Sequence, residues 1–139
     1  TMAAVFQDSG QHVVLRDYAV QHLALAHERL VHEEHQGSGG DDALRSRIIE
    51  WLWQGVAEID SSISGTALMG LSRLSEMDVD IDKARLRSTA VELAGNPAAG
   101  SEARISALQV AGNLGTADIL PTAVDIAAKG QSQALRLSA

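Results

Sequence analysis

The feature that most constrains the fold is an apolar pattern that recurs around one alanine in three stretches. The stretches read LRDYAVQHLALA, ISGTALMGLSRL and ARISALQVAGNL, with the shared alanine at Ala19, Ala67 and Ala107. Offsets 0, 1, 4 and 7 from that alanine form one broad face of an α-helix. All twelve residues at these offsets are apolar: Ala19, Val20, Leu23, Ala26, Ala67, Leu68, Leu71, Leu74, Ala107, Leu108, Ala111 and Leu114. Each stretch is therefore predicted to be a helix that buries the same face.

Short polar or glycine-containing breaks separate helix-length segments along the whole chain. Ser, Thr or Asp stands at most helix starts, where a side-chain oxygen can cap free N–H groups. We expect Gly95, Gly115 and Gly130 to close helices in the left-handed conformation. The predicted helices span 2–7, 11–34, 42–59, 62–76, 81–94, 101–114, 116–129 and 131–139. Because the connections are short, successive helices are expected to pack antiparallel.

The composition favours one fold class and weighs against several classes of function. Hydrophobic residues make up 45% of the chain and aromatics only 3%, which favours an all-α domain over a sheet protein. A net charge of −7 weighs against nucleic-acid binding and against attraction to an anionic membrane. No apolar run approaches the ~20 residues that a membrane helix needs. The absence of cysteine excludes disulfides, thiolate metal sites and cysteine nucleophiles.

The C-terminal stretches carry a resemblance to a known family. ARISALQVAGNLG, followed by TADILPTAVDIAAKG and QSQALRLSA, resembles the HEAT-repeat family, particularly its short bacterial variety. In that family the second helix of each repeat begins with Val/Ala/Leu-Arg-x-x-Ala and ends in Leu-Gly. The resemblance implies a right-handed α-solenoid, a HEAT/armadillo-like superhelix of about four antiparallel helix pairs with truncated ends.

The same resemblance implies a domain organisation. A single domain over 1–139 would contain approximate repeats at 1–35, 41–76, 80–114 and 116–139. Pro121 would lie inside the first helix of a repeat, where the family commonly kinks. Because QALRLSA stops within the pattern, we expect the chain to be a fragment of a longer protein.

Offsets +2 and +6 from the shared alanine suggest a binding surface, because the second helices of HEAT-like solenoids line the concave side. The candidate partner-binding residues are Gln21, Met69, Arg73, Gln109 and Asn113, with Leu25 completing the row. A mixed polar row with one Met and one Leu suits a protein or peptide partner, whose identity the sequence leaves unknown. The alternative is an ordinary solvated face. We expect a non-catalytic interaction scaffold or appended binding module, without a cofactor and of undetermined oligomeric state.

The stretch HLALAHERLVHEEH supplies a different hypothesis, a metal-dependent enzyme or metal-binding protein built on residues 27–35. Glu28, His32 and His35 are spaced i, i+4 and i+7, so they share a helix face and could hold a divalent metal. The HEAT-repeat deoxyhypusine hydroxylases bind iron through His-Glu pairs, but those pairs are spread over several repeats. Here both pairs lie in one helix, so that activity is not carried over. The alternative is a solvated, charged helix end.

Three residues before the shared alanine, the sequence places Arg16, Ser64, Arg104 and, in a partial fourth copy, Arg136. The arginines could form an anion-binding row. We expect instead that they pair with loop aspartates of a neighbouring repeat, because Arg suits bidentate carboxylate pairing. The candidate partners are Asp8, Asp60 and Asp118.

The remaining helix features are interpreted as packing. Glycines at 55, 65, 70 and 112 lie within predicted helices and are expected to mark close helix contacts. Trp51 and Trp53 diverge by about 200° on a helix, and core packing is expected for both. Aromatics in a basic cleft serve the related DNA-glycosylase HEAT proteins, a function that the acidic charge disfavours here. TMAAVFQD does not resemble a signal peptide, so a cytoplasmic location is expected, although a fragment could lack such a signal.

Overall fold

The structure is a computed structural model, and it describes residues 1–35, 42–77, 79–129 and 133–139. These residues form eight α-helices and, within the described part of the chain, no strand. The helices are α1 (Met2–Gln7), α2 (Val13–His35), α3 (Asp42–Val56), α4 (Ser62–Glu76), α5 (Lys83–Gly95), α6 (Ser101–Asn113), α7 (Ile119–Lys129) and α8 (Gln133–Ser138). The prediction of an all-α chain is confirmed, and each predicted helix has a counterpart.

Two predicted boundaries differ from the structure by three residues, because turns replace helix there. α3 ends at Val56, three residues early, because the amides of Ala57 and Glu58 bond to carbonyls three residues back. α7 begins at Ile119 rather than at 116, after a turn in which Ile119 N–H bonds to Thr116 O. Pro121 is thus the third residue of α7. The first four amides of a helix have no partner within it, so proline costs no hydrogen bond there.

Local capping interactions set the helix ends, and one predicted helix end differs from the structure. Asp82 caps α5, since its carboxylate accepts from Arg85 N–H at 2.9 Å. Gly115 follows α6 with φ of 63°, which confirms its left-handed role. The prediction of a left-handed conformation is wrong for Gly95, which is the last residue of α5 and is followed by extended Asn96. Gly130 lies outside the described residues.

The helices contact one another in a regular succession. Four consecutive pairs pack internally, α1 with α2, α3 with α4, α5 with α6 and α7 with α8. We call the two members of each pair its first and second helix. The second helices also contact each other in chain order, α2 with α4, α4 with α6 and α6 with α8. Among first helices in the described part of the chain, α5 and α7 make the one extended contact.

The predicted apolar face is the buried face of the second helices. Ten of the twelve residues at offsets 0, 1, 4 and 7 are buried, and the remaining two, Ala26 and Leu114, are partly buried against the core. Ala67, Leu68, Leu71 and Leu74 of α4 are fully inaccessible. α4 lies between α2 and α6, which explains why its burial is the most complete.

Glycines permit the close approach of these helices. A Cβ on Gly65 would lie 2.7 Å from Ser106 Oγ and 3.1 Å from Ala103 Cα, both in α6. On Gly70 it would lie 3.0 Å from Ala24 Cβ in α2. Gly55 similarly faces Ala67, at 3.0 Å. Gly112, by contrast, has no atom within 4 Å of the added Cβ, so the prediction of a close contact is wrong at that position.

In the three complete stretches, the residue three before the shared alanine binds the end of the first helix of its own pair. Arg16 Nε donates to Phe6 O at 2.8 Å, and Arg104 Nε donates to Ala94 O at 2.9 Å. Ser64 Oγ donates to Val56 O at 2.7 Å. Carbonyls in the last turn of a helix have no partner within it, so these side chains satisfy them. The three stretches are therefore structurally equivalent, as their sequence pattern predicted.

For Arg16 and Arg104, bonds to other groups take the place of the expected pairs with aspartates, while the pairing expected of Arg136 stays a prediction. Arg16 does form a bidentate ion pair, at 2.9 and 2.5 Å, but with Glu58 in the segment between α3 and α4. Its partner thus belongs to the neighbouring pair, as expected, although the residue is Glu58 rather than Asp60. Arg104 is buried and directs its Nε to a carbonyl rather than to an aspartate.

Candidate functional site

The five candidate partner-binding residues occupy one side of the second helices. Gln21 is exposed on α2, and Met69 and Arg73 lie on α4, where Met69 is partly buried and Arg73 exposed. Gln109 and Asn113 are exposed on α6. The offset pattern therefore selected positions that are exposed or partly buried, whereas most residues at offsets 0, 1, 4 and 7 are buried.

Three of these residues line a groove of about 310 Å³ between α2, α4 and α6, which we call the second-helix groove. Its lining residues are Gln21, Ala24, Leu25, Thr66, Met69, Gly70, Arg73 and Ser106. Gln109 and Asn113 are not among them, since they lie farther along α6. The structure thus brings together Gln21, Met69 and Arg73 and leaves the two α6 residues apart.

Small residues create the groove. Gly70 and Ala24 bring α4 and α2 together, and Gly65 and Ser106 bring α4 and α6 together. Larger side chains at such positions would hold the helices apart or fill the space between them. Gly70, Ala24 and Ser106 therefore take part in the close helix contacts and also line the groove.

The groove combines apolar contact area with neutral hydrogen-bonding groups. Met69 and Leu25 are both partly buried, so each presents part of an apolar side chain. Gln21, Thr66 and Ser106 can donate and accept hydrogen bonds. Arg73 is the one charged residue in the lining of this groove. The groove can therefore make both apolar and hydrogen-bonded contacts.

Arg73 is held at the rim by Glu28 of α2. Arg73 Nη2 lies 3.0 Å from Oε1 and 3.1 Å from Oε2 of Glu28, and its hydrogen bond goes to Oε2. The Glu28 side chain is 16% exposed and that of Arg73 58% exposed, so the carboxylate is the sheltered partner. The pair fixes where the guanidinium lies and leaves much of it in contact with solvent.

This ion pair bears on the predicted metal site. Glu28, one of its three candidate ligands, already neutralises Arg73, and His32 is exposed on the same helix. The side chain of His35 lies outside the described part of the structure. Across the described residues, no three His, Asp or Glu side chains are close enough to hold a metal ion together. The three-ligand hypothesis itself involves His35 and stays a prediction.

The burial of His27 was not predicted, because this residue lies among charged residues in the sequence. It is only 1% exposed, and neither ring nitrogen has a hydrogen-bond partner among the described residues. Burial lowers the pKa of His27 below its ordinary value of 6.5. The interaction of the ring with its own backbone opposes this effect, nearby Arg45 adds to it, and Glu28 opposes it. Its offset of +8 places it one turn beyond Leu23 on the buried face, a signal that was available in the sequence.

Sequence reasoning also missed Thr66 and Ser106. Both stand one residue before the shared alanine, in α4 and α6 respectively, and both line the second-helix groove. A small polar residue at the same offset in two stretches was a usable signal. The equivalent residue of α2 is Tyr18, which is 52% exposed and packs on His22 at 4.2 Å between ring centroids.

Comparison with known proteins identifies no relative of this chain. No helix formed by the described residues combines the length and apolar character needed to cross a bilayer. No family model matches the chain, and neither a curated protein nor a solved structure matches it significantly.

Proposed function

We propose that this chain is a non-catalytic interaction module with a HEAT-like solenoid architecture, and that its second-helix groove binds a segment of a protein partner. The observation that carries the proposal is the groove itself, because Gln21, Met69 and Arg73 converge on it from two different helices. These residues were selected by repeat register alone.

The succession of helix contacts supports the solenoid part of the proposal. Each second helix packs on the next one in chain order, while the first helices α1, α3 and α5 have no extended mutual contact in the described residues. Helices that are closer on one side than on the other produce a curved stack. The inner side of such a curve carries the second helices and hence the groove.

The equivalent bonds of Arg16, Ser64 and Arg104 also favour a repeated unit. Each joins a second helix to the end of its own first helix. A bond that recurs at the same register in three helix pairs is characteristic of stacked repeats, in which each unit has the same internal geometry.

The groove suits a short peptide segment better than a small polar substrate. Met69 and Leu25 offer apolar anchoring area, and Met adapts its shape to different apolar side chains. Gln21, Thr66 and Ser106 can bond to peptide groups of a partner. Arg73, held by Glu28, can donate to a partner carboxylate from its exposed side.

The test is a peptide selection followed by affinity measurements on matched variants. A displayed library of random peptides is enriched on the wild-type chain alone, and the affinities of individual peptides for wild type and variants are then measured by isothermal titration calorimetry. The control is Gln54→Glu, which places the same new charge on an exposed residue of α3, away from the groove.

We expect the selected peptides to bind wild type and Gln54→Glu equally and Met69→Glu at least about tenfold more weakly, the loss of one apolar anchor. Arg73→Gln should weaken the peptides that carry a carboxylate and leave the others unchanged. Peptides that bind all the variants alike would assign recognition to another surface and contradict the proposal.

A further inference from the structure

A separate groove of about 390 Å³ lies between α5 and the turn that precedes α7, and we call it the α5–α7 groove. One wall comes from α5, and the other comes from Thr116 and Asp118 of the turn. None of its lining residues belongs to the second-helix groove. A ligand in the α5–α7 groove would therefore bind independently of the proposed peptide partner.

The two walls follow from local structure. Residues of α5 at spacing i, i+3, i+4 and i+7 share the face that forms the first wall. The second wall is a turn because α7 begins only at Ile119, whose N–H bonds to Thr116 O. The residues of the first wall are Ala84, Arg87, Ser88 and Val91, and Glu92 also lines the groove.

The groove has three charged side chains that do not pair with one another. Arg87, Glu92 and Asp118 are all exposed. Among the described residues, none of the three forms an ion pair. Opposite charges that line one groove without meeting can both be reached by a ligand that carries the complementary charges. Because two carboxylates stand against one guanidinium, such a ligand should carry more positive than negative groups.

Uncharged groups complete the lining. Val91 is partly buried and Ala84 is exposed, so both offer accessible apolar surface. Thr116 Oγ1 is buried and has no hydrogen-bond partner among the described residues. Buried hydroxyls are usually bonded, so this wall keeps an unused hydrogen-bonding group. Ser88 Oγ donates to Arg85 O at 3.1 Å and can still accept a bond.

We propose that the α5–α7 groove binds a free basic amino acid, with its carboxylate on Arg87, its two ammonium groups on Asp118 and Glu92, and its aliphatic chain on Val91. The charges of this ligand are the inverse of those in the groove. Its net positive charge also suits a chain of net charge −7. The groove volume lies within the range of about 300–1,000 Å³ that is usual for small-molecule sites.

Isothermal titration calorimetry with related ligands tests the match of charges. L-lysine carries all three charged groups, L-norleucine lacks the side-chain ammonium, and cadaverine lacks the carboxylate. We expect lysine to bind saturably, and norleucine and cadaverine to bind at least about tenfold more weakly, the effect of one lost charge-assisted bond. Nα-acetyl-L-lysine amide, which represents a lysine residue within a protein, should also bind more weakly than lysine.

Variants with matched controls decide the location of binding. Arg87→Gln should weaken lysine by about tenfold or more without weakening cadaverine, because cadaverine has no carboxylate. Asp118→Asn should weaken both ligands. Arg85→Gln and Asp125→Asn make the same charge changes at exposed residues of α5 and α7 outside the groove and should leave lysine binding unchanged. Circular dichroism verifies that each variant is folded.

Absence of saturable binding of lysine to the wild-type chain would overturn the proposal. Equal losses in the groove variants and in their controls would also overturn it, because binding would then reflect only the overall charge. Cadaverine that binds as tightly as lysine would remove the carboxylate contact at Arg87. Nα-acetyl-L-lysine amide that binds as tightly as lysine would assign the groove to a lysine side chain of a protein instead of a free amino acid.

Discussion

Arg104 donates from Nε to the carbonyl oxygen of Ala94 at 2.9 Å, and it does so while only 8% exposed. The bond connects the second helix of a pair to the last turn of its first helix. Without its partner this buried carbonyl would be shielded from water and unbonded. The bond therefore contributes more to the free energy of unfolding than an exposed hydrogen bond does. Its recurrence at Arg16 indicates that the arginine holds the pair together, rather than facing an anionic ligand.

Arg104→Met is therefore expected to lower the free energy of unfolding by about 2 kcal/mol, because Ala94 O is left unsatisfied. Arg87→Met is the matched control, since Arg87 begins the same Arg-x-x-Ala sequence but is exposed on a first helix. Its effect should stay within about 0.5 kcal/mol. Urea denaturation of both variants measures the difference, and equal losses would show that the buried carbonyl bond is unimportant.

Gly65→Ala should destabilise the chain although alanine is the better helix former. The added Cβ would approach the Ser106 side chain to 2.7–2.9 Å and the Ala103 backbone to 3.1 Å, which forces α4 and α6 apart. Overpacking of this kind costs about 1–3 kcal/mol.

Gly112→Ala is the control for helix propensity, because its Cβ would meet no atom within 4 Å. It should raise stability by up to about 1 kcal/mol. The thermal unfolding midpoints of the two variants should therefore move in opposite directions. A stabilising Gly65→Ala would mean that α4 and α6 are not held at the observed separation.

His27 should make stability depend on pH. Its pKa in the folded chain lies below the ordinary 6.5 because burial disfavours the charged ring, so the unfolded chain binds the proton more readily. The contribution of neutral His27 to stability is then complete above pH 6.5 and is lost as the pH falls below it. The nearby charges act in opposite directions, Arg45 against protonation and Glu28 in favour of it.

His27→Leu should reduce the loss of stability between about pH 7 and pH 5, since it removes the group whose protonation opposes folding. It also removes two buried nitrogens that lack partners among the described residues, so stability at neutral pH should rise. His32→Leu, which replaces an exposed histidine of the same helix, is the matched control for the loss of one histidine. Urea midpoints across this pH range give the comparison, and parallel curves for wild type and His27→Leu would refute the assignment.

The metal hypothesis has a separate test. If Glu28 keeps its ion pair with Arg73, protein purified without a polyhistidine tag should contain no stoichiometric zinc or iron by elemental analysis. His32→Ala should then leave the weak binding of added Zn²⁺ unchanged. A stoichiometric metal that disappears in His32→Ala would instead favour the metal-dependent alternative and would require Glu28 to leave Arg73.

Part of the second-helix groove could be predicted from the sequence, because some of its residues follow from helix periodicity. Gln21, Met69 and Arg73 followed from offsets along single helices, which local periodicity encodes. Thr66 and Ser106 joined them because neighbouring helices approach closely at Gly65 and Gly70. The approach depends on two helices at once, so the offsets of one helix could not reveal it.

The sequence by itself determined the helices, the buried face and the equivalence of the second helices around Ala19, Ala67 and Ala107. Local propensity and apolar periodicity act over a few residues, so they can be read along the chain. The tertiary structure decided the side-chain partners. Arg16 pairs with Glu58 rather than with an aspartate, and Arg73 pairs with Glu28. His27 has no hydrogen-bond partner within the described residues. These choices depend on how distant helices are positioned and on which polar groups water can still reach.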